Sequence, residues 1–150
     1  DCLAAAAKGR AVVELVADGT HVHPAVVRDV FDMVGPGNVV LVTDAMAAAG
    51  MPDGAYRLGS LDVTVADGVA RLTHGGAIAG GTAHLSQVLR VTVEGGVPLV
   101  DAVRAVTATP AEVLGRQDLG RLEAGVRADV LVLGPDLAVR RVARAGEWVG

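Results

Sequence analysis

One cysteine, Cys2, is all the sequence contains. A disulfide within the chain is therefore excluded, as is a metal site built from cysteine alone, and a reducing, cytoplasmic location is expected. Aromatic residues are nearly missing as well: Phe31, Tyr56 and Trp148 stand alone, which leaves valine, leucine and alanine to build the core. No run reaches the roughly 20 apolar residues of a membrane-spanning helix. Charged residues, histidine or glycine interrupt each candidate, so no membrane partner is expected. Nor is there an excess of positive charge: the formal net charge of -4, with both signs mixed along the chain, argues against a nucleic-acid partner. The opening segment DCLAAAAKGR has no initiator methionine and no basic stretch ahead of its short alanine run. It does not read as a signal peptide, and the chain is expected to be a fragment of a longer protein.

What is present is an apolar chain of one domain's length. Its 150 residues are 51% hydrophobic, enough to bury a sizeable core. Residues 11–16 (AVVELV) form a valine-rich run, interrupted by Glu14, of the kind found in strands covered on both faces of a parallel sheet. Pro24 then takes a favoured first helical position, and Val26, Val27, Val30, Phe31 and Val34 recur at helical spacing until Gly35-Pro36-Gly37 ends the helix. A second buried strand follows at 39–42. This order predicts a β-α-β unit with parallel, adjacent strands and a right-handed crossover. Residues 61–65 alternate apolar and polar, Ala66-Asp67-Gly68 turns, and 69–72 returns as the second arm of a hairpin. After the glycine-rich stretch HGGAIAGG (74–81), Leu85, Val88, Leu89 and Thr92 mark a helix, and Leu99, Val103 and Val106 mark another. Thr109-Pro110-Ala111-Glu112 reads as the start of a third, with Thr109 as N-cap, Pro110 at the first position and Glu112 at the third. Strands are expected at 130–133 and 137–149, divided by the turn Gly134-Pro135-Asp136.

In parallel α/β architectures the reactive groups lie beyond the carboxyl ends of the strands. Asp44 holds that position after 39–42, and His21 lies just beyond Val16. Neighbouring strands, roughly 4.8 Å apart, would bring both side chains to one mouth. A polar residue at a strand end also serves as a turn or cap, and it is the joint placement that favours a site. His21 and His23 are two residues apart, the spacing at which an extended chain turns both rings to one metal ion. Pro24, however, starts the helix and draws His23 toward its N-cap. His74 and His84 flank the glycine-rich stretch, which either binds an anion through exposed N–H groups or simply connects two parts of the fold. Met46 and Met51 flank a small-residue loop that either covers the site or packs beside it. Asp18 and Asp101 read as turn or helix-end residues, and Arg140, Arg141 and Arg144 as a solvated face.

Four stretches, ELVADGTHVHP, LVTDAMAAAGMPDGAYRLG, IAGGTAHL and LEAGVRADVLVL, taken in this order, resemble the C-terminal part of the N-acetylglucosamine-6-phosphate deacetylases, members of the amidohydrolase superfamily. The resemblance runs from about Val13 to the C-terminus. It implies an α/β fold: a C-terminal fragment of a (β/α)8 TIM-type barrel plus part of a small β-sandwich. Residues 1–54 would be the last β-α units of the barrel, 55–73 a hairpin and connection, 74–115 the glycine loop and barrel-side helices, and 116–150 the C-terminal strands of the sandwich. Asp44 would be the catalytic aspartate at the end of strand eight. His21, at the end of strand seven, would contact the substrate, and Ile78, Ala79 and Gly80 would line the sugar site. Metal-dependent amidohydrolases place their His-x-His clamp on the first barrel strand, nearly a whole barrel of ~250 residues before that aspartate. Only one helix and one strand separate His21 from Asp44, so the pair here is a look-alike.

The implied reaction is metal-assisted amide hydrolysis that frees acetate from N-acetylglucosamine 6-phosphate. A divalent ion, typically zinc, would activate the water and polarise the carbonyl, and Asp44 would move the proton. In the family a glutamate and two histidines on earlier barrel strands hold the ion, so no metal ligand is expected in this chain. The chain alone is expected to be inactive, and the full-length protein a homodimer. The alternatives are another amidohydrolase, acting on a cyclic amide or an N-acyl amino acid, or a non-catalytic remnant.

Overall fold

The computed structural model describes residues 1–149; Gly150, the last residue of the expected sandwich segment, lies outside the described residues. The alanine-rich start forms a short helix, α1 (Cys2–Ala6), whose first turn is capped by the Asp1 carboxylate accepting from the Ala4 N–H at 2.8 Å. Alanine's high helix propensity and that cap suffice for one turn, a feature that hydrophobic spacing does not signal. Strands β1 (Val13–Val16) and β2 (Val39–Val42) pair in parallel, with Val13 opposite Val39 and Val16 opposite Val42, as the β-α-β order predicts. Helix α2 (Pro24–Val34) joins them and buries Val27, Val30, Phe31 and Val34. Those side chains meet Val39 and Leu41 of β2, Val88 and Leu89 of α3 (Leu85–Glu94), and Ala102 and Ala105 of α4 (Leu99–Val106) in the larger of two cores. Each fully buried Val or Leu there contributes about 1.5–3 kcal/mol relative to exposure.

The smaller core lies under an antiparallel sheet of β3 (Gly54–Leu58), β4 (Leu61–Ala66) and β5 (Val69–Leu72), in that order. Alternation along the hairpin turns Val63, Val65 and Ala70 inward, where they meet Met46, Ala48 and Ala79 from the adjoining loops. Helix α5 (Ala108–Val113) follows α4. The chain then forms a third sheet, β6 (Val130–Leu133), β7 (Val139–Arg144) and β8 (Glu147–Val149), in which Ala143 is the one buried strand residue. Among the described residues no helix is long and apolar enough to cross a membrane.

The structure corrects the expected elements in several places. The first strand begins at Val13, not Ala11, because the residues ahead of Val39 coil into a 3-10 turn (Pro36–Asn38) and offer Ala11 and Val12 no ladder. The stretch 137–149 is not one strand. It is a hairpin that turns at Ala145 and Gly146, with φ of 52° and 87°, the left-handed pair that tight hairpins favour. A tertiary contact fixes that turn: the Ala145 N–H donates to Asp129 Oδ1 at 2.8 Å. Thr109 is not a cap. The N-cap of α5 is Thr107, and Thr109 lies buried inside the helix, its hydroxyl donating to the Pro36 carbonyl at 3.1 Å. A tertiary bond to the turn before β2 thus takes the hydroxyl that the local pattern assigns to a cap. Strand β3 has no alternating pattern of its own and is set by pairing with β4.

Candidate active site

Because β1 and β2 are parallel and in register, both strands leave the sheet at the same end. After β1, Ala17 is buried and the chain turns at Asp18 and Gly19. Asp18 Oδ1 accepts from the N–H groups of Thr20 and His21, both at 2.9 Å, the local turn that Asp side chains favour. Its other oxygen, Oδ2, lies 2.9 Å from His21 Nδ1. The far side of the ring faces β2: His21 Nε2 is 3.8 Å from Asp44 Oδ2. Side-chain exposures of 7%, 18% and 62% for Asp18, His21 and Asp44 make the three a line running from interior to solvent. Burial works against charge on Asp18. The His21 N–H, the His21 ring and the Thr20 N–H outweigh it together and hold the carboxyl below its ordinary value of 3.8.

Asp44 has φ of 49°, in the left-handed region that non-glycine residues seldom occupy and that recurs at functional positions. Its backbone is gripped by the glycine-rich stretch returning from β5. The Asp44 carbonyl accepts from the Gly81 N–H at 2.6 Å, and the Met46 N–H donates to the Gly81 carbonyl at 2.9 Å. Position 81 has no room for a side chain, since a Cβ there would overlap the Thr43 carbonyl oxygen. One on Gly80, where φ is 85°, would stand 3.1 Å from the Asp44 carbonyl oxygen. Ala79 is buried in the smaller core, and its N–H donates to the Ala70 carbonyl at 3.0 Å. Of the three, Gly80 is the one set against the Asp44 backbone; Ile78 bridges to Arg71 and carries an exposed side chain.

The remaining candidates fall outside this line. His23 caps α2, its Nδ1 accepting from the Ala25 N–H at 3.2 Å, so the two histidines of VADGTHVHP serve different partners. His84 caps α3, where its N–H donates to Gln87 Oε1 at 2.7 Å, and its ring lies so close to Gly50 that a Cβ there would sit 2.8 Å from Nε2. His74 is exposed. Met46 packs into the smaller core and Met51 faces solvent, so the loop after Asp44 is anchored at one end. Asp101 stands in the first turn of α4. Arg140 pairs with Asp136 at 2.8 Å, while Arg141 stacks over Trp148 at 3.7 Å from the ring centre. Among the described residues, no three His, Cys, Asp or Glu side chains are grouped so as to hold a metal ion. The sequence places His21 and Asp44 at one mouth, but its turn pattern alone does not show that the second oxygen of Asp18 meets the His21 ring. The signal was the spacing itself: a turn-forming Asp followed by glycine, with a histidine three residues on, returns the ring to the same carboxylate.

Residues 3–149 match the amidohydrolase family. The chain is 48% identical to the N-acetyl-D-glucosamine-6-phosphate deacetylase of Mycobacterium smegmatis. The structure of an Asp-to-Ala mutant of that protein, in complex with N-acetyl-D-glucosamine-6-phosphate, matches this fold with a TM-score of 0.90 over 97% of this chain and 39% of that one. An N-acetylgalactosamine-6-phosphate deacetylase of Escherichia coli O157:H7 is 41% identical over 140 residues, 92% of this chain and 37% of that relative. The N-acetylglucosamine-6-phosphate deacetylase of Vibrio furnissii is 40% identical over 139 residues, 91% of this chain and 34% of its own length. The chain thus spans little more than a third of each of these proteins, with an α/β fold similar to that of the M. smegmatis deacetylase. Amidohydrolases generally use a divalent metal ion. With a family match that runs from Leu3 to Val149, this chain belongs to the amidohydrolase family.

Proposed function

We propose that this chain carries the proton-transfer and sugar-contact part of a hydrolase that removes acetate from N-acetyl-D-glucosamine 6-phosphate, leaving D-glucosamine 6-phosphate, in amino-sugar catabolism. The reading is carried by Asp44, exposed at the lip of a parallel pair of strands and faced by His21 at 3.8 Å, in a chain 48% identical to a deacetylase of that sugar phosphate. Water adds to the acetyl carbon, and Asp44 takes its proton. The C–N bond then breaks, Asp44 hands the proton to the departing amine nitrogen, and acetate leaves. One carboxylate suits both tasks, because the group that has accepted the proton is the one placed to return it. His21 contacts the sugar phosphate through its Nε2 side. Ile78, with the backbone of Ala79 and Gly80, lines the sugar.

In this reading β1, α2 and β2 are the closing units of a (β/α)8 barrel formed with residues 1–54. Residues 55–73 are a hairpin and connection, 74–115 returns to the barrel side, and the strands within 116–150 belong to a small sandwich. The divalent ion, zinc in this proposal, would be held by side chains other than those described here. The intact enzyme would be a cytoplasmic homodimer. N-acetylgalactosamine 6-phosphate is a second candidate substrate, favoured by the E. coli relative at 41% identity. Grafting this chain in place of the matching segment of the M. smegmatis deacetylase and measuring acetate release from both sugar phosphates tests the proposal. Faster release from the glucosamine type supports it. A galactosamine preference moves the assignment to the second sugar, and no release from either by a folded, metal-loaded graft removes it.

A further inference from the structure

We propose that Asp18 is a positioning residue that fixes the tautomer of His21, placing the ring proton on Nδ1 and leaving Nε2 as an acceptor beside Asp44. Its consequence for catalysis rests on the deacetylase reading above; the tautomer itself does not.

The argument is one of donors and acceptors. Asp18 Oδ1 is occupied by two backbone donors, the N–H groups of Thr20 and His21. That leaves Oδ2 for the ring, 2.9 Å from Nδ1, and an ionised carboxylate can only accept, so Nδ1 must donate. The neutral ring then has its lone pair on Nε2. The carboxyl is held below its ordinary value, which keeps it in the accepting form. With Nδ1 committed, Nε2 and Asp44 Oδ2 are two acceptors facing each other at 3.8 Å, beyond hydrogen-bond distance. A gap of that kind accepts a donor, such as a sugar hydroxyl, an amine N–H or a water proton, and turns away a bare acceptor. Asp18 thereby decides which hydrogen-bonding groups the mouth receives without touching them.

Asp18→Asn provides an unusually clean reversal. The two backbone N–H groups require an oxygen at the Oδ1 place, so the amide oxygen must sit there and the NH2 must face the ring. Nδ1 is then obliged to accept, and the proton moves to Nε2, where it points at Asp44. The test is a long-range proton–nitrogen NMR spectrum of His21 in the intact 150-residue chain, at a pH where the ring is neutral. In the unsubstituted chain we expect Nδ1 to resonate as the protonated nitrogen and Nε2 as the unprotonated one, and in folded Asp18→Asn we expect the two positions to exchange. A ring protonated on Nε2 in the unsubstituted chain overturns the proposal, whether or not the variant folds. An unchanged tautomer in a variant whose backbone spectrum remains native overturns it as well. The result is independent of turnover, so a graft that fails to release acetate would overturn the deacetylase reading and leave this one standing.

Discussion

Asp44 holds its left-handed backbone because Gly81 bonds to its carbonyl and the Gly81 carbonyl bonds to Met46, while among the described residues its carboxylate is faced by His21 at 3.8 Å. Such a conformation costs most residues roughly 1–2 kcal/mol, and aspartate somewhat less. Asp44→Gly should therefore raise stability in urea by up to about 1 kcal/mol, since glycine adopts this φ without penalty but loses more chain entropy on folding. A loss of stability would mean that the carboxylate contributes to the fold. Asp18 stands in the opposite relation to the fold. Its carboxyl lies below the ordinary 3.8, so the ionised form stabilises the native chain. That contribution is complete above the unfolded value and is lost as pH falls through the lower folded value. The stability gap between the unsubstituted chain and Asp18→Ala should be widest at neutral pH and narrow in that acid window; a gap that ignores pH would contradict the assignment. His21 and Asp44 were legible in the sequence because each follows a valine-rich strand. The ring contact of Asp18 was not, because a turn-forming Asp looks the same whether or not its second oxygen is used.

The elements that order themselves by local pattern were the ones the sequence revealed. The capped start of α2, its buried stripe and the alternating hairpin of β4 and β5 each arise from residues adjacent in the chain. Elements decided by distant partners were hidden. Asp129 sets the turn between β7 and β8, and Pro36 receives the Thr109 hydroxyl. The glycine-rich stretch belongs to both groups. Its composition fits a tight path, but only the structure shows that the path ends on residues 43–46, just beyond β2, and holds the Asp44 backbone. Gly81→Ala should destabilise the chain by about 3 kcal/mol, because the added Cβ overlaps the Thr43 carbonyl oxygen and neither backbone can yield without breaking the pair of hydrogen bonds around Asp44. Denaturant unfolding would measure it. A near-neutral substitution would show that the Gly81 contact does not hold the end of β2.

At the scale of the molecule, polar backbone and apolar side chains remain uncovered. Among the described residues β1 and β2 form a sheet of two strands, each with one edge outside the ladder, and Val100 and Leu122 are 79% and 80% exposed. Open edges and apolar patches favour association. Light scattering should rise with concentration, and amide exchange over 13–16 should be fast in dilute solution; a compact monomer with slow exchange there at every concentration would show that the chain closes its own sheet. The proposed division of labour, with proton transfer on this chain and metal ligation elsewhere, comes only from the resemblance, because no composition or period in these residues points to it. The most direct test is kcat of Asp44→Asn in the graft on the M. smegmatis deacetylase, measured together with its metal content. We expect metal binding to be unchanged and kcat to fall by about 10² to 10⁴, the range for losing a general acid-base group. Near-normal kcat at full metal occupancy would contradict the role of Asp44 and with it the proposed function.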